Sequence, residues 1–94
     1  MHLEVVSPEA VLFSSDVDSI KVPGVNGEFQ MLDNHAPIVS ILQEGSIIID
    51  VTSLDNSILE NLHDSIENNN KILSIKINSG TIELNENKAI ILVD

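Results

Sequence analysis

Apolar and polar residues alternate over most of the chain, in short runs separated by turn-forming residues. This two-residue alternation is typical of β-strands that bury one face. The predicted strands cover residues 3–6, 10–13, 16–22, 29–32, 38–42, 46–51, 73–77, 82–84 and 89–93. Turn signals recur at intervals of roughly 8–12 residues, which favours an all-β sandwich or flattened barrel of short antiparallel strands. The last run is apolar on both faces and is predicted to be a covered central strand.

One segment breaks the alternation. Four apolar residues there recur at intervals of four: Leu54, Ile58, Leu62 and Ile66. This is the spacing of an amphipathic helix, and Ser57 followed by Glu60 matches a capping box. The pattern predicts a short helix over residues 57–66, although two strands around a turn would use the same apolar residues. The polar residues 67–70 are predicted to form an exposed loop.

The densest turn signals lie between Val22 and Pro37. Pro23-Gly24 predicts one turn, and Asn26-Gly27 is the dipeptide that a type I′ hairpin turn favours, because both of its central residues need a positive φ. Asp33-Asn34 predicts another turn, and Pro37 disfavours a helical conformation for the residue before it. We expect this segment to hold its turn tips in fixed positions.

The length and composition indicate a single domain, residues 1–94. The chain is 43% hydrophobic but only 2% aromatic, with no Trp or Tyr, so its core must be built from aliphatic side chains. Many of these are Ile and Val, whose branched Cβ atoms suit a pleated sheet better than a helix.

The chain is strongly acidic, with a formal net charge of −11 at pH 7 and four Lys and Arg residues in all. All four are lysines, and they are scattered along the sequence. A nucleic-acid partner is excluded, because binding to phosphates requires a basic surface. We therefore expect a partner with a basic surface.

The absence of Cys excludes disulfides, thiolate metal sites and Cys nucleophiles. The first residues lack the basic start and apolar stretch of a signal peptide. The longest apolar run, 89–93, is far shorter than the ~20 residues of a membrane-spanning helix. The sequence thus predicts a protein that does not insert directly into a membrane.

Candidate catalytic chemistry is sparse. Asp33, His35 and Ser40 carry the atoms of a hydrolase triad, but they crowd into one turn and the strand after it, whereas triad residues usually come from separate elements. His2, His35 and His63 fall on three different elements and lack the spacing of metal ligands. We therefore predict no catalytic, metal or cofactor site.

Glu28 is the carboxylate that stands out for binding. It directly follows Asn26-Gly27, where a charge can project from the tip of a rigid hairpin toward a partner. A solvated turn residue is the alternative interpretation of the same position.

The ordered motifs of the chain resemble the epsilon subunit of F-type ATP synthases, which is called delta in mitochondria. The matching residues are Leu3, Pro8-Glu9, Leu12-Phe13-Ser14, Val17, Val22-Pro23-Gly24, Gly27-Glu28-Phe29, Leu32, Asn34-His35-Ala36-Pro37, Leu42, Gly45, 79–84 and 90–94. The likeness is best from Leu3 to Gly45 and says little about residues 52–71.

The resemblance implies an epsilon-type N-terminal β-sandwich that acts as a non-catalytic rotor part of the central stalk, between the gamma subunit and the c-ring. It implies that Glu28 faces the polar loops of the c-ring and that His35 and Ser40 lie near gamma. The implied location is the cytoplasmic face of the bacterial inner membrane, as a peripheral part of the complex.

Many family members continue into two C-terminal helices that sense ATP and inhibit hydrolysis. Because this chain stops at Asp94, we expect it to lack that regulation. A free-standing acidic β-sandwich that binds a basic protein or peptide is the alternative function. A small β-barrel enzyme is a weaker one.

Overall fold

The computed structural model describes residues 1–53, 59 and 62–94, and this part of the chain is an all-β fold, as predicted. Its strands are β1 (His2–Val6), β2 (Val11–Asp16), β3 (Ser19–Gly24), β4 (Gly27–Leu32), β5 (Ile38–Leu42), β6 (Gly45–Asp50), β7 (Ile66–Asn69), β8 (Ile72–Ile77), β9 (Gly80–Asn85) and β10 (Lys88–Val93).

The strands form a continuous sheet in the order β2-β1-β10-β9-β5-β3-β6-β8-β7, with β4 paired to β3. The described pairings are antiparallel except that β1 runs parallel to β10. The sheet folds over at the β5–β3 junction, where Gly24 pairs with Leu42. This gives two layers: a first layer of β2, β1, β10, β9 and β5, and a second layer of β4, β3, β6, β8 and β7.

Alternate side chains of both layers fill one aliphatic core. The largest fully buried side chains are Leu3, Val5, Ile20, Met31, Leu42, Ile47, Ile49, Leu73, Ile75, Ile82, Leu84 and Ile91. Phe13 is buried and Phe29 packs against the core at its edge. Interiors of this kind are close-packed and resist deformation, so the two layers form one stiff body.

In the predicted helix over residues 57–66, residues 57, 58, 60 and 61 lie outside the described part of the chain, and Leu59 is helical. Residues 62–66 are not helical, because the backbone turns at Asp64 and Ser65 and then enters β7 at Ile66. Leu59 and Leu62 are partly buried against the core. Leu62 and Ile66, the last two residues of the four-residue apolar repeat, therefore contribute to the sandwich core.

The prediction of a loop at residues 67–70 is wrong for its first three residues, which belong to β7. This strand pairs with β8 in the register Asn68–Leu73 and Asn69–Ile72. Its residues after Ile66 are exposed, so they lack the apolar alternation by which a strand is recognised. A short polar strand at the end of the sheet order is a common way to protect a sheet edge.

The hairpin between β3 and β4 differs from the sequence prediction. Gly24 pairs with Gly27, so that Val25 and Asn26 form its two-residue loop. Gly27, with φ of 124°, adopts a positive φ, but Asn26 does not. The predicted type I′ turn at Asn26-Gly27 is therefore wrong. Pro23 and Gly24 lie inside β3 and do not form a turn of their own.

Two other hairpins have positive φ at both loop residues. These loops are Asn70-Lys71, with φ of 56° and 66°, and Glu86-Asn87, with φ of 51° and 60°. Each connects strands through a two-residue loop, which is the arrangement that a type I′ turn matches. The predicted turn at Asp33-Asn34 is confirmed, with Asn34 at a φ of 62°.

Strand β10 lies between β1 and β9, as expected for a central strand. Ala89, Ile91 and Val93 face the core, but Leu92 is exposed on the outer side of the first layer. The expectation that both faces of this strand are covered is wrong. The uncovered side belongs to the apolar surface described next.

Candidate partner-binding surfaces

Glu28 stands beside the tip of the β3–β4 hairpin, and this tip is held against the neighbouring strand. The Val25 N–H donates to the Ile41 carbonyl at 3.2 Å, and the Gln43 N–H donates to the Pro23 carbonyl at 2.8 Å. A Cβ at Gly24 would lie 2.7 Å from the Gly27 carbonyl oxygen, so glycine permits this close approach. These contacts fix the β3 side of the tip, where Pro23 pairs with Glu28 of β4.

The side chain of Glu28 is 57% exposed, and its carboxylate lies 3.7 Å from the Lys21 ammonium on β3. An exposed ion pair of this kind contributes little to the free energy of folding, about 0–1 kcal/mol. Glu28 can therefore exchange Lys21 for a basic group on a partner at small cost.

His35 lies at the opposite end of the sandwich from Glu28. Glu28 is the second residue of β4, whose six residues span about 17 Å at roughly 3.4 Å per residue, and His35 follows the turn at the other end of the strand. The turn before His35 is fixed by the Asn34 N–H, which donates to the Asn87 side-chain oxygen at 2.8 Å. The His35 ring Nδ1 lies 2.7 Å from the Ala36 carbonyl oxygen, and the residue is exposed.

Ser40 lies in the middle of β5, where it pairs with Ile82 of β9. Its hydroxyl donates to the Ile41 carbonyl at 3.3 Å. His35 and Ser40 thus each bond to the backbone of the next residue. Neither bond links these residues to Asp33 in the geometry of a catalytic triad.

An exposed apolar surface on the first layer was not found by sequence reasoning. Val39 and Ile41 of β5 are 75% and 63% exposed. The register aligns Val39 with Glu83 and Ile41 with Thr81. On the other side of β9, Glu83 pairs with Ile90 and Thr81 pairs with Leu92, both on β10. Leu92 pairs in turn with Val6 of β1, and Val6 pairs with Val11 of β2. We call this set the outer apolar face: Val6, Val11, Val39, Ile41, Ile90 and Leu92.

The signal for this face was present in the sequence. The runs 38–42 and 89–93 are apolar at odd and even positions alike, which means that one apolar set cannot enter the core. Thr81 and Glu83 of β9 lie between the β5 residues and the β10 residues of the outer apolar face, so the face consists of two apolar strips on either side of a polar row. Exposed apolar surface on a folded protein is typical of protein–protein contact. The second layer exposes fewer large apolar side chains, among them Leu32 and Ile72.

A Ser–His–Asp arrangement does occur elsewhere, at the β1–β2 edge of the first layer. His2 Nδ1 lies 3.2 Å from Asp16 Oδ1, and Ser14 Oγ lies 3.5 Å from His2 Nε2. Glu4 also approaches Nε2, at 3.6 Å. Asp16 and Ser14 are exposed, whereas a working triad needs a buried carboxylate and a directed nucleophile. The arrangement is a polar surface cluster.

Asp18 has a structural role at the end of the sandwich. Its carboxylate accepts hydrogen bonds from the Ser53 N–H at 3.0 Å, the Ser53 hydroxyl at 2.9 Å and the Thr52 hydroxyl at 3.0 Å. The bond from the Ser53 N–H contributes most to lowering the pKa of Asp18 below its ordinary value of 3.8. These bonds join the β2–β3 turn to the end of β6.

Within the described residues, no group of three or more His, Cys, Asp or Glu side chains is arranged to hold a metal ion. Among the described residues there is no helix with the length and hydropathy needed to cross a membrane. The surfaces that remain for binding are the hairpin tip and the outer apolar face.

The chain matches a family model over its whole length. Residues 1–94 fit the model described as "ATP synthase, Delta/Epsilon chain, beta-sandwich domain". Proteins named ATP synthase epsilon chain are 36% identical over 94 residues in Campylobacter fetus and 35% identical over 94 residues in a Sulfurovum strain. The matched region is 100% of this chain and 60% or 61% of those proteins, so the chain spans about three-fifths of their length.

Two solved structures share the fold. A chain of the Tetrahymena thermophila mitochondrial ATP synthase, solved as its central stalk and c-ring, aligns with 98% of this chain and 61% of its own length, at a TM-score of 0.74 and 14% identity. A chain of the Euglena gracilis mitochondrial ATP synthase aligns with 97% of this chain and 48% of its own, at a TM-score of 0.74 and 16% identity. The fold, the family model and the sequence relatives agree, and the chain belongs to the delta/epsilon β-sandwich family of ATP synthase subunits.

Proposed function

We propose that this domain is a non-catalytic part of the central stalk of an F-type ATP synthase. In this function it links the gamma subunit to the c-ring and couples proton translocation to ATP synthesis. The observation that carries the proposal is that one close-packed body exposes Glu28 on its second layer and a set of apolar side chains on its first layer. Torque passes between two partners without slipping only if the body between them does not deform, and a close-packed aliphatic core meets that condition.

The gamma subunit is proposed to bind the outer apolar face. Val39 and Ile41 present their side chains to solvent on either side of Ser40, and His35 stands at the end of the same strand. Apolar side chains that lose contact with water on binding contribute about 25 cal/mol per Å² of buried surface. His35 then supplies a polar contact at the rim of this interface. Ser40 is proposed to contact gamma only from beside this face, because its side chain points to the opposite side of β5 from Val39 and Ile41.

The c-ring is proposed to bind the hairpin tip through Glu28. Glu28 lies on β4 of the second layer and the outer apolar face lies on the first layer, so a partner on each surface is proposed to leave the other accessible. An acidic tip complements the basic polar loops that the family resemblance implies for the c-ring. The domain would then sit at the cytoplasmic face of the bacterial inner membrane, peripheral to the bilayer.

Binding to gamma can be tested with a pair of matched variants. Ile41→Asp places a charge on the outer apolar face, and Ile72→Asp makes the same change on the exposed side of the second layer. Each variant is mixed with the cognate gamma subunit and analysed by size-exclusion chromatography. We expect the parent and Ile72→Asp to co-elute with gamma and Ile41→Asp to elute separately.

Equal retention of gamma by both variants would remove the outer apolar face from the proposal. Failure of the parent chain to bind gamma would instead favour the alternative function, an acidic module for another basic partner. The net charge of −11 supports that alternative. Circular dichroism of each variant confirms that the β-sandwich is intact before binding is compared.

The c-ring contact has a test of the same design. Glu28→Lys reverses a charge at the hairpin tip, and Glu67→Lys reverses one on β7, in the second layer. Both changes alter the net charge equally, so a general electrostatic effect would affect both. We expect Glu28→Lys alone to weaken assembly on the c-ring and proton-driven ATP synthesis. Normal assembly and synthesis with Glu28→Lys would contradict the assignment.

A further inference from the structure

The hairpin tip carries a chemically reactive dipeptide. Asn26 and Gly27 are both exposed, and Asn26 is the second residue of the two-residue loop between β3 and β4. A Cβ built at Gly27 would have no heavy atom within 4 Å. The backbone nitrogen of Gly27 directly follows an exposed asparagine. Gly27 has no side chain, and its surroundings are open.

The two sides of this tip are not held equally. On the β3 side, the Val25 N–H and the Pro23 carbonyl make hydrogen bonds to β5 and to the residue that follows it. On the β4 side, Gly27 pairs with Gly24 in the terminal rung of the hairpin. Opening of that one rung frees Asn26 and Gly27, and the ends of hairpins open locally at low free-energy cost.

We propose that Asn26 is a site of spontaneous deamidation in the folded protein. The deprotonated Gly27 nitrogen attacks the side-chain Cγ of Asn26, and its proton goes to hydroxide or another base in the solvent. The N–Cγ bond forms, Nδ2 takes a proton from the solvent, the Cγ–Nδ2 bond breaks and ammonia leaves, which gives a succinimide. Water then opens the ring at one of its two carbonyls, to give aspartate or isoaspartate, with no redox change.

Both products change the surface next to Glu28. Each adds a negative charge two residues from it, and isoaspartate also adds a carbon to the main chain. A two-residue loop with an added carbon cannot keep the Gly24–Gly27 rung in its present register. If the tip docks on the c-ring, a consequence that rests on the proposed function, deamidation alters this contact as the protein ages.

The test is a time course of the folded chain in mildly alkaline buffer, followed by peptide mapping with mass spectrometry. Deamidation at Asn26 raises the mass of its peptide by one unit and produces two separable isomers. Asn70 and Asn87, which also lie in two-residue hairpin loops but precede lysines, are controls within the same molecule. We expect Asn26 to react several-fold faster than either, and Asn26→Gln to abolish the change in that peptide.

Reaction of Asn26 at the rate of Asn70 and Asn87 would overturn the inference. So would an Asn26 that is stable in the folded chain and reacts only in denaturant, because the folded hairpin would then prevent the attack. The mass change is read on the isolated chain. A failure of the chain to bind gamma or the c-ring would therefore leave this result untouched.

Discussion

Truncation of Ile82 to alanine tests the claim that one aliphatic core makes the sandwich stiff. Ile82 is fully buried on β9, between Ile91 of β10 and Ser40 of β5. Alanine removes three carbons from the core, and at about 0.8 kcal/mol each the lost transfer free energy is roughly 2.4 kcal/mol. The cavity left behind raises the expected loss of unfolding free energy to about 2–5 kcal/mol.

This loss is large for a domain of this size, since natural proteins have unfolding free energies of only about 5–15 kcal/mol. A loss of 2 kcal/mol lowers the Tm by about 8–16 °C in a domain of 60–100 residues. Ile82→Val removes a single carbon and should cost about 0.5–1.5 kcal/mol. The two variants together therefore give a graded series at one position.

Urea unfolding followed by far-ultraviolet circular dichroism is the suitable assay, because the chain has no Trp or Tyr for fluorescence. Glu83→Ala is the control, since Glu83 is the neighbouring residue on the exposed side of β9. Surface changes of this kind usually stay within about 0.5 kcal/mol. Equal, small effects of Ile82→Ala and Glu83→Ala would refute a close-packed core between the layers.

Three further variants probe separate parts of the fold by the same assay. Asp18→Asn removes a carboxylate whose lowered pKa adds stability above its ordinary pKa of 3.8, and this stability is lost as the pH falls through the folded value. The variant should therefore be less stable than the parent at neutral pH and converge with it in acid. Gly80→Ala should cost about 1–3 kcal/mol, because its Cβ would lie 2.5 Å from the Leu92 carbonyl oxygen, and an unchanged urea midpoint would contradict that close approach. Glu86→Asn should raise stability by up to about 1 kcal/mol, because Glu86 has a φ of 51° that asparagine tolerates better; a lower midpoint would contradict the assigned turn.

The alternation of the sequence was enough to predict the all-β class and most strands. Ile38–Leu42 was predicted with its observed bounds, because one of its faces must enter the core whatever its neighbours are. The polar strand β7 could not be predicted, since hydrogen bonding to β8 creates it and its side chains lie in solvent. Pairing partners also decide where a hairpin turns, which is why the loop at Val25-Asn26 begins one residue earlier than predicted.

The candidate surfaces were predicted less completely than the fold. Glu28 was identified from its place beside a hairpin tip, and the structure does place it there, beside Lys21. The outer apolar face depends on register, because residues from β1, β2, β5 and β10 come to the same side of the first layer only when the strands pair. Sequence alone shows surplus apolar residues in single strands but not that they form one surface.

The most direct test of the central claim is whether gamma and the c-ring bind this chain at the same time. Gamma is passed over a detergent-solubilised c-ring on a support, with and without the chain, and the retained gamma is measured. We predict that the chain increases the retention of gamma, because the two proposed surfaces lie on different layers of the sandwich. Displacement of the chain from the c-ring by gamma would show that the partners compete for one surface and would contradict a bridging function.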